Sequence, residues 1–282
     1  MQKNITIAVC GAGTMGTGIA QTLICNGFKT IVYELNPNVL SKSKTSLFAA
    51  IENLFLKGKI SQQQLNFAKD HIVYTSDLKH VIADIIVEAI VENIDAKTNL
   101  FSNLMDINSN ETVYATNTSS ISINAIAKAL NNNKNIVGLH FFNPAPLMKL
   151  VEVIKSDYTS TTVVNTMLQL CAQLQKTAVI CNDAPGFIVN RVARHYYLQA
   201  MSLVEEGKAN IKDIDELMEA SGFKMGPFKL MDLIGLDINY GVSQIVFNDL
   251  GKPERLKPSP LQAQKVTDGK LGKKTGEGFY IY

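Results

Sequence analysis

Two hydrophobic rhythms alternate along the first half of the chain. Short apolar runs at 5–9, 30–33, 72–74, 84–90, 112–115 and 136–142 have the length and β-branched content of strands. Among them lie stretches whose apolar residues recur three and four apart, as on an amphipathic helix. The long helix that Asn36-Pro37 opens carries Leu47, Ile51, Leu54 and Phe55 at that spacing until Gly58 stops it. Ser61 with Gln64 forms a capping box for a shorter helix, and helical patterns at 95–108 and 122–130 separate the last three strands. This alternation predicts βαβ units and a mostly parallel sheet buried on both faces.

The rhythm changes after residue 140. Asn143-Pro144-Ala145-Pro146 reads as a turn and 149–154 as another strand, so 136–142 and 149–154 are expected to pair as an antiparallel hairpin. A helix at 161–175 and a strand at 177–181 complete the first domain. At 183–186, Asp-Ala-Pro-Gly marks the boundary, because strand signals nearly cease beyond it. Helices are predicted at 187–205, 212–220, 228–249 and 260–269. The expectation is an α/β domain over 1–184, then an all-helical domain over 185–282. A polar loop at 131–135 is the only biased segment.

Composition narrows the function classes. Of 282 residues, 46% are hydrophobic and 18% charged, which suffices for two buried cores and excludes a disordered chain. The net charge of +2, without a long basic run, argues against a nucleic-acid or membrane-surface partner. The apolar stretch 81–91 is interrupted by Asp84 and Glu88, so no bilayer-spanning segment is expected. The opening Met-Gln-Lys-Asn runs straight into a strand with no signal-peptide core. Cys10, Cys25, Cys171 and Cys181 lack metal-site spacing and read as small buried hydrophobes in a reducing compartment. A soluble, cytoplasmic, metal-free protein is the expectation.

The first chemical signal is Gly11-x-Gly13-x-x-Gly16, directly after a strand and opening a helix. Gly11 permits the tight turn, Gly13 lets a pyrophosphate approach the backbone, and Gly16 lets helix and strand pack closely. The helix N-terminus offers N–H groups and a positive dipole end to phosphates. Glu34 closes the second strand, 18 residues beyond Gly16. A carboxylate there can bind ribose hydroxyls and repel a 2′-phosphate, so NAD is expected over NADP. The context makes the domain Rossmann-type, although the fingerprint alone also fits FAD.

An alcohol dehydrogenation needs a base near neutrality, and histidine supplies one. Of four histidines, only His140 lies at the C-terminal part of a strand, where open α/β folds bind ligands. Across the predicted turn, Glu152 can come close enough to hold one imidazole nitrogen. Spacing alone leaves open a structural histidine and a solvated glutamate.

Here the chain resembles the L-3-hydroxyacyl-CoA dehydrogenases, especially the short bacterial 3-hydroxybutyryl-CoA enzymes, essentially end to end. The likeness rests on Gly11-Ala-Gly-Thr-Met-Gly, Val87-Glu-Ala-Ile-Val-Glu-Asn and Asn117-Thr-Ser-Ser. It continues through Gly138-Leu-His-Phe-Phe-Asn-Pro-Ala-Pro, Pro185-Gly-Phe-Ile-Val-Asn-Arg, Met225-Gly-Pro-Phe and Gly272-Lys-Lys-Thr-Gly-Glu-Gly-Phe-Tyr. The resemblance implies reversible oxidation of an (S)-3-hydroxyacyl-CoA to a 3-oxoacyl-CoA with NAD. His140 would be the base and Glu152 its orienting partner, with Ser119 and Asn190 as donors to the substrate. Thr14 and Met15 would line the dinucleotide loop, and Glu92, Lys97 and Asn117 would contact the ribose and nicotinamide half. Lys57 would meet the CoA moiety, and the helical domain would form a homodimer, with Phe223, Met225, Phe228, Leu230 and Met231 as interface or core candidates.

This chain departs from the family pattern after Asn190, where it reads Val192-Ala-Arg-His-Tyr-Tyr. If Arg194 and His195 face the acyl pocket, a carboxylated chain such as 3-hydroxyadipyl-CoA would be favoured; as surface residues they would say nothing. Gulonate and other β-hydroxyacid dehydrogenases stand as alternative enzymes, and a non-catalytic NAD-binding regulator as the alternative to an enzyme.

Overall fold

A computed structural model describes residues 5–131 and 133–282. The opening Met-Gln-Lys-Asn and residue 132 of the polar loop lie outside the described residues. The chain divides into two compact units, one ending at Asp183 and the other beginning at Ala184.

In the first unit the strands are β1 (Thr6–Cys10), β2 (Lys29–Tyr33), β3 (Ile72–Thr75), β4 (Ile85–Glu88), β5 (Val113–Thr116), β6 (Ile136–Phe141), β7 (Leu150–Lys155) and β8 (Thr177–Asn182). They form one sheet in the order β3-β2-β1-β4-β5-β6-β7-β8. Every neighbouring pair is parallel except β6 with β7. The first six strands follow the doubly wound order, with its reversal of direction between β1 and β4. All six residues of β6, Ile-Val-Gly-Leu-His-Phe, are buried. Such a strand tolerates no solvent-facing alternation, which is why it reads as a nearly unbroken apolar run.

The covering helices are α1 (Thr14–Cys25), α2 (Pro37–Leu56), α3 (Gln62–His71), α4 (Ile94–Met105), α5 (Ile123–Ala129) and α6 (Thr161–Gln173). Most begin where a side chain satisfies an orphan N–H. Asn36 accepts from Asn38 with Pro37 at the first helical position, and the Ser61–Gln64 capping box forms in both directions. Asn93, Ser122 and Ser160 cap α4, α5 and α6 in the same way. Ile19 and Leu23 of α1 and Leu47 and Ile51 of α2 join Val9, Val87 and Leu139 of the sheet in one core. Each such fully buried side chain contributes roughly 1.5–3 kcal/mol.

The second unit is helical: α7 (Val189–Glu205), α8 (Ile211–Ala220), α9 (Pro227–Ile234), α10 (Leu236–Asp249) and α11 (Pro260–Thr267). Tyr197, Met201, Ile214, Phe228, Met231, Leu236 and Val246 form its core. Phe228 and Met231 are thus interior residues of one chain, with Leu230 packed against them, while Phe223 is half exposed. The single helix expected over 228–249 is two. Gly235 at φ 101° lies outside helical space, and Leu236 donates instead to Leu271 O, 3.2 Å away. Asp215 accepts from the N–H groups of Phe228 and Lys229 at the start of α9. It also accepts from the Tyr280 hydroxyl.

Candidate active site

The C-terminal ends of the parallel strands bring most of the expected first-unit residues to one edge of the sheet. Beyond β1 the backbone packs so closely that a Cβ on Gly16 would stand 1.8 Å from Gly11 O. Gly11 itself has φ 102° and donates to Tyr33 O. Gly13 differs, for a Cβ built on it would meet nothing within 4 Å, so the start of α1 faces open space. Thr14 is exposed in this first turn, while Met15 packs against the core. Glu34 reaches across the loop, accepting from Ala12 N and Asn36 N at 3.0 Å each. An open cradle of helix N–H groups with a fixed carboxylate beside it fits a dinucleotide: the phosphates at Gly13, the ribose hydroxyls at Glu34.

The next strand end holds a residue that sequence reading missed. Glu88, fully buried, accepts from Lys97 Nζ and Thr116 Oγ1 at 2.6 Å and from Ile90 N at 2.7 Å. Sequence reading took it only as a break in an apolar stretch. The available signal was a strand-end acid with a lysine one helix turn inside the following element. Lys97 is 1% exposed and also pairs with Glu92 at 3.1 Å, so its ammonium is engaged by two carboxylates rather than by solvent. Glu92 in turn organises the loop after β5. Its Oε1 accepts from Thr118 Oγ1 at 2.5 Å, Ser120 Oγ at 2.9 Å and Ser119 N at 3.1 Å.

Burial alone would raise the pKa of Glu92, but the Lys97 charge and the Thr118 and Ser120 hydroxyls outweigh it and hold the carboxyl below its ordinary value. A depressed folded-state pKa contributes stability above the ordinary carboxylate pKa, and this is lost as pH falls through the lowered one. Glu92→Gln is therefore expected to flatten the acid limb of the stability curve below about pH 4.5. Urea midpoints across pH 3–7 test this, and an unchanged slope would remove the assigned linkage.

Asn117 ties the end of β5 to β6: its Oδ1 accepts from Phe141 N at 2.8 Å, one residue beyond His140. His140 and Glu152 are direct cross-strand partners in the antiparallel β6–β7 pair, so the expected hairpin is present with these two residues facing each other. His140 Nδ1 lies 2.7 Å from Glu152 Oε2, with the residues 6% and 1% exposed. A carboxylate only accepts, so in this bond Nδ1–H of His140 is the donor. The Phe142 ring lies 4.5 Å from the imidazole, centroid to centroid. Ser119 is half-buried on the loop that Glu92 holds.

Asn190 belongs to the second unit, in the first turn of α7. Lys57 is exposed immediately after α2. Arg194 is buried within the second unit. Its guanidinium is 3% exposed and donates to Asn190 O, Asn239 O and Oδ1, and Ser243 Oγ within its own unit. Burial lowers its pKa to about 10, and it lies 4.8 Å from the Tyr197 ring centroid. His195 is exposed and lines a cleft of about 650 Å³ with Arg255 and Lys257. All four cysteines are free, and burial pushes the Cys25 thiol up to about 11 and Cys171 and Cys181 up to about 12. Among the described residues no group of three or more His, Cys, Asp or Glu could hold a metal, and no helix is long and apolar enough to cross a membrane.

Residues 6–184 match the family model for the 3-hydroxyacyl-CoA dehydrogenase NAD binding domain, and residues 186–282 the model for the C-terminal domain of the same family. The chain is 40% identical to a 3-hydroxyadipyl-CoA dehydrogenase of Escherichia coli over 98% of its own length, but spans only 58% of that relative. It is 39% identical to a probable 3-hydroxybutyryl-CoA dehydrogenase of Bacillus subtilis, covering 98% of this chain and 96% of the other. Among solved structures, that of (S)-3-hydroxybutyryl-CoA dehydrogenase from Ralstonia eutropha superposes with a TM-score of 0.94 at 32% identity, covering 99% of both chains.

Proposed function

The chain belongs to the 3-hydroxyacyl-CoA dehydrogenase family, and on that premise we propose that it interconverts (S)-3-hydroxybutyryl-CoA and acetoacetyl-CoA with NAD. The observation that carries the reading is the buried His140–Glu152 pair at 2.7 Å. Glu152 holds the imidazole in the tautomer that presents Nε2 as a base and stabilises the imidazolium formed when His140 takes the hydroxyl proton. In the reverse direction the same imidazolium is the acid. Ser119 and Asn190 donate hydrogen bonds to the 3-oxygen and the thioester, a positioning role worth several kcal/mol. When bound, NAD supplies the acceptor for the hydride leaving C3.

The chain's own groups prepare the cofactor site. The first turn of α1 offers N–H groups to the pyrophosphate, and Glu34 favours ribose hydroxyls over a 2′-phosphate. Asn117 lies beside the nicotinamide half, and Glu92 with Lys97 sets the loop that carries Ser119. Lys57 meets the CoA phosphates as a mobile point charge. The same reading makes the protein a cytoplasmic homodimer with an acyl-CoA as its small-molecule partner.

Arg194 donates to Asn239 and Ser243 of its own unit and is given no part in binding a carboxylated chain, and the relatives of similar length named 3-hydroxybutyryl-CoA dehydrogenases support a four-carbon chain. The test is NADH oxidation with acetoacetyl-CoA, run beside 3-oxoadipyl-CoA, and NAD reduction with gulonate and 3-hydroxyisobutyrate. The expected result is turnover of acetoacetyl-CoA with NADH and at least tenfold less with NADPH, about 1.4 kcal/mol of discrimination. Turnover of a free hydroxyacid alone, or NADH binding without turnover of any substrate, would overturn the reading.

A further inference from the structure

The turn between β6 and β7 joins the two partners of the buried pair, and apart from Ala145, which is buried in the core, most of it lies on the surface. Asn143, Pro144, Leu147, Met148 and Lys149 are exposed, and its internal backbone bonds are Leu147 N and Met148 N to Pro144 O, both at 3.0 Å. Three of its carbonyls are gathered by one side chain from elsewhere in the unit. Lys176 Nζ donates to Ala145 O at 2.6 Å and Met148 O at 2.7 Å, with Pro146 O at 3.5 Å. An ammonium has three donors, so this arrangement saturates the cation with carbonyls that the exposed turn would otherwise leave to water.

The lysine is itself anchored. It follows α6, and Gln175 before it turns the chain at φ 56°. Lys176 N donates to Cys171 O at 2.9 Å, and Thr177 N to Lys149 O at 2.8 Å, where β8 begins to pair with β7. On its far side the turn rests on α1. A Cβ on Gly18 would stand 3.2 Å from Pro146 Cδ and 3.3 Å from Ala145 Cβ. The clamp therefore spans the strand that carries Glu152, the turn to His140, and the helix that opens the dinucleotide site. Burial lowers the Lys176 pKa, as expected of an ammonium whose hydrogen bonds run to neutral carbonyls.

We infer that Lys176 is a positioning residue, which fixes the 143–148 turn through three carbonyls and thereby sets the alignment of the His140–Glu152 pair for proton transfer. The effect on rate rests on the function proposed above; the effect on the imidazole does not. A misplacement on the order of 1 Å at a reacting group can cost about a hundredfold in rate.

The test compares wild type with Lys176→Met, which keeps the length and removes the donors. Ring NMR of the four histidines is expected to show a changed His140 signal, with those of His71, His80 and His195 unmoved. With acetoacetyl-CoA, kcat is expected to fall by about tenfold to a hundredfold while the KM for NADH stays within about twofold. Adding n-propylammonium to Lys176→Ala is expected to restore part of kcat. Should Lys176→Met not fold, Lys176→Gln, which keeps an amide donor, carries the same measurements. An unmoved His140 spectrum, or a lowered melting temperature with kcat and its pH profile intact, would overturn the inference. If wild type itself fails to reduce acetoacetyl-CoA, the proposed function falls while the ring spectrum still decides on the clamp.

Discussion

His140→Gln is expected to lower kcat by about a thousandfold, within the 10²–10⁴ range of a lost general acid–base, and to leave NADH affinity within about twofold of wild type. The base is lost because an amide cannot take up the hydroxyl proton at neutral pH. Affinity survives because the dinucleotide cradle, Gly11 to Gly16 with Glu34 bonded to Ala12 N, is built at the ends of β1 and β2, with β4 and β5 between it and the β6 strand that carries the imidazole. Gln is preferred to Ala because Glu152 is 1% exposed and loses a 2.7 Å partner when the ring is removed. An amide N–H can still donate to that carboxylate, so the variant reports on chemistry rather than unfolding. Stopped-flow turnover with fluorescence titration of NADH measures both quantities. Turnover within about threefold of wild type would remove His140 from the reaction.

The second large effect is on stability. Lys97→Met is expected to destabilise the first unit by about 3–5 kcal/mol, the usual consequence of removing one partner of a buried ion pair. Glu88 is fully buried, and its remaining bonds to Thr116 Oγ1 and Ile90 N do not neutralise it. Glu92 loses the cation that offsets its own burial, so the loop bearing Ser119 loosens as well. The double variant Lys97→Met/Glu88→Gln is expected to recover most of the loss, because the stranded charge goes with its partner. Urea unfolding of both variants measures the coupling. A loss below about 1 kcal/mol for Lys97→Met would mean that water already screens the pair.

Local patterns carried much of the architecture. Strands and helices of the first unit were readable because the central strands β4, β5 and β6 are buried on both faces and the helices keep a wet side, and the caps at Asn36 and Ser61 mark helix starts. The hairpin was readable because a Pro-rich turn separates two apolar runs, and its register places His140 opposite Glu152. Three features were not. Gly235 sits in an apolar run that keeps helical spacing on both sides, and only its positive φ breaks the helix. The Glu88–Lys97 pair closes between a strand and a helix through Thr116 of a neighbouring strand, a contact that no linear period encodes. Arg194 reads from sequence as either an acyl-pocket or a surface cation, and its burial against Asn239 O and Ser243 Oγ of α10 depends on packing that the sequence does not display.

His140 and Glu152 sit rung to rung on an antiparallel ladder whose backbone bonds set the strand spacing, with the 143–148 turn closing one end of it. For protein engineers the rungs are the part to leave alone: exposed positions away from β6, β7 and their turn, such as Lys57 after α2, can be exchanged without changing the spacing of the pair.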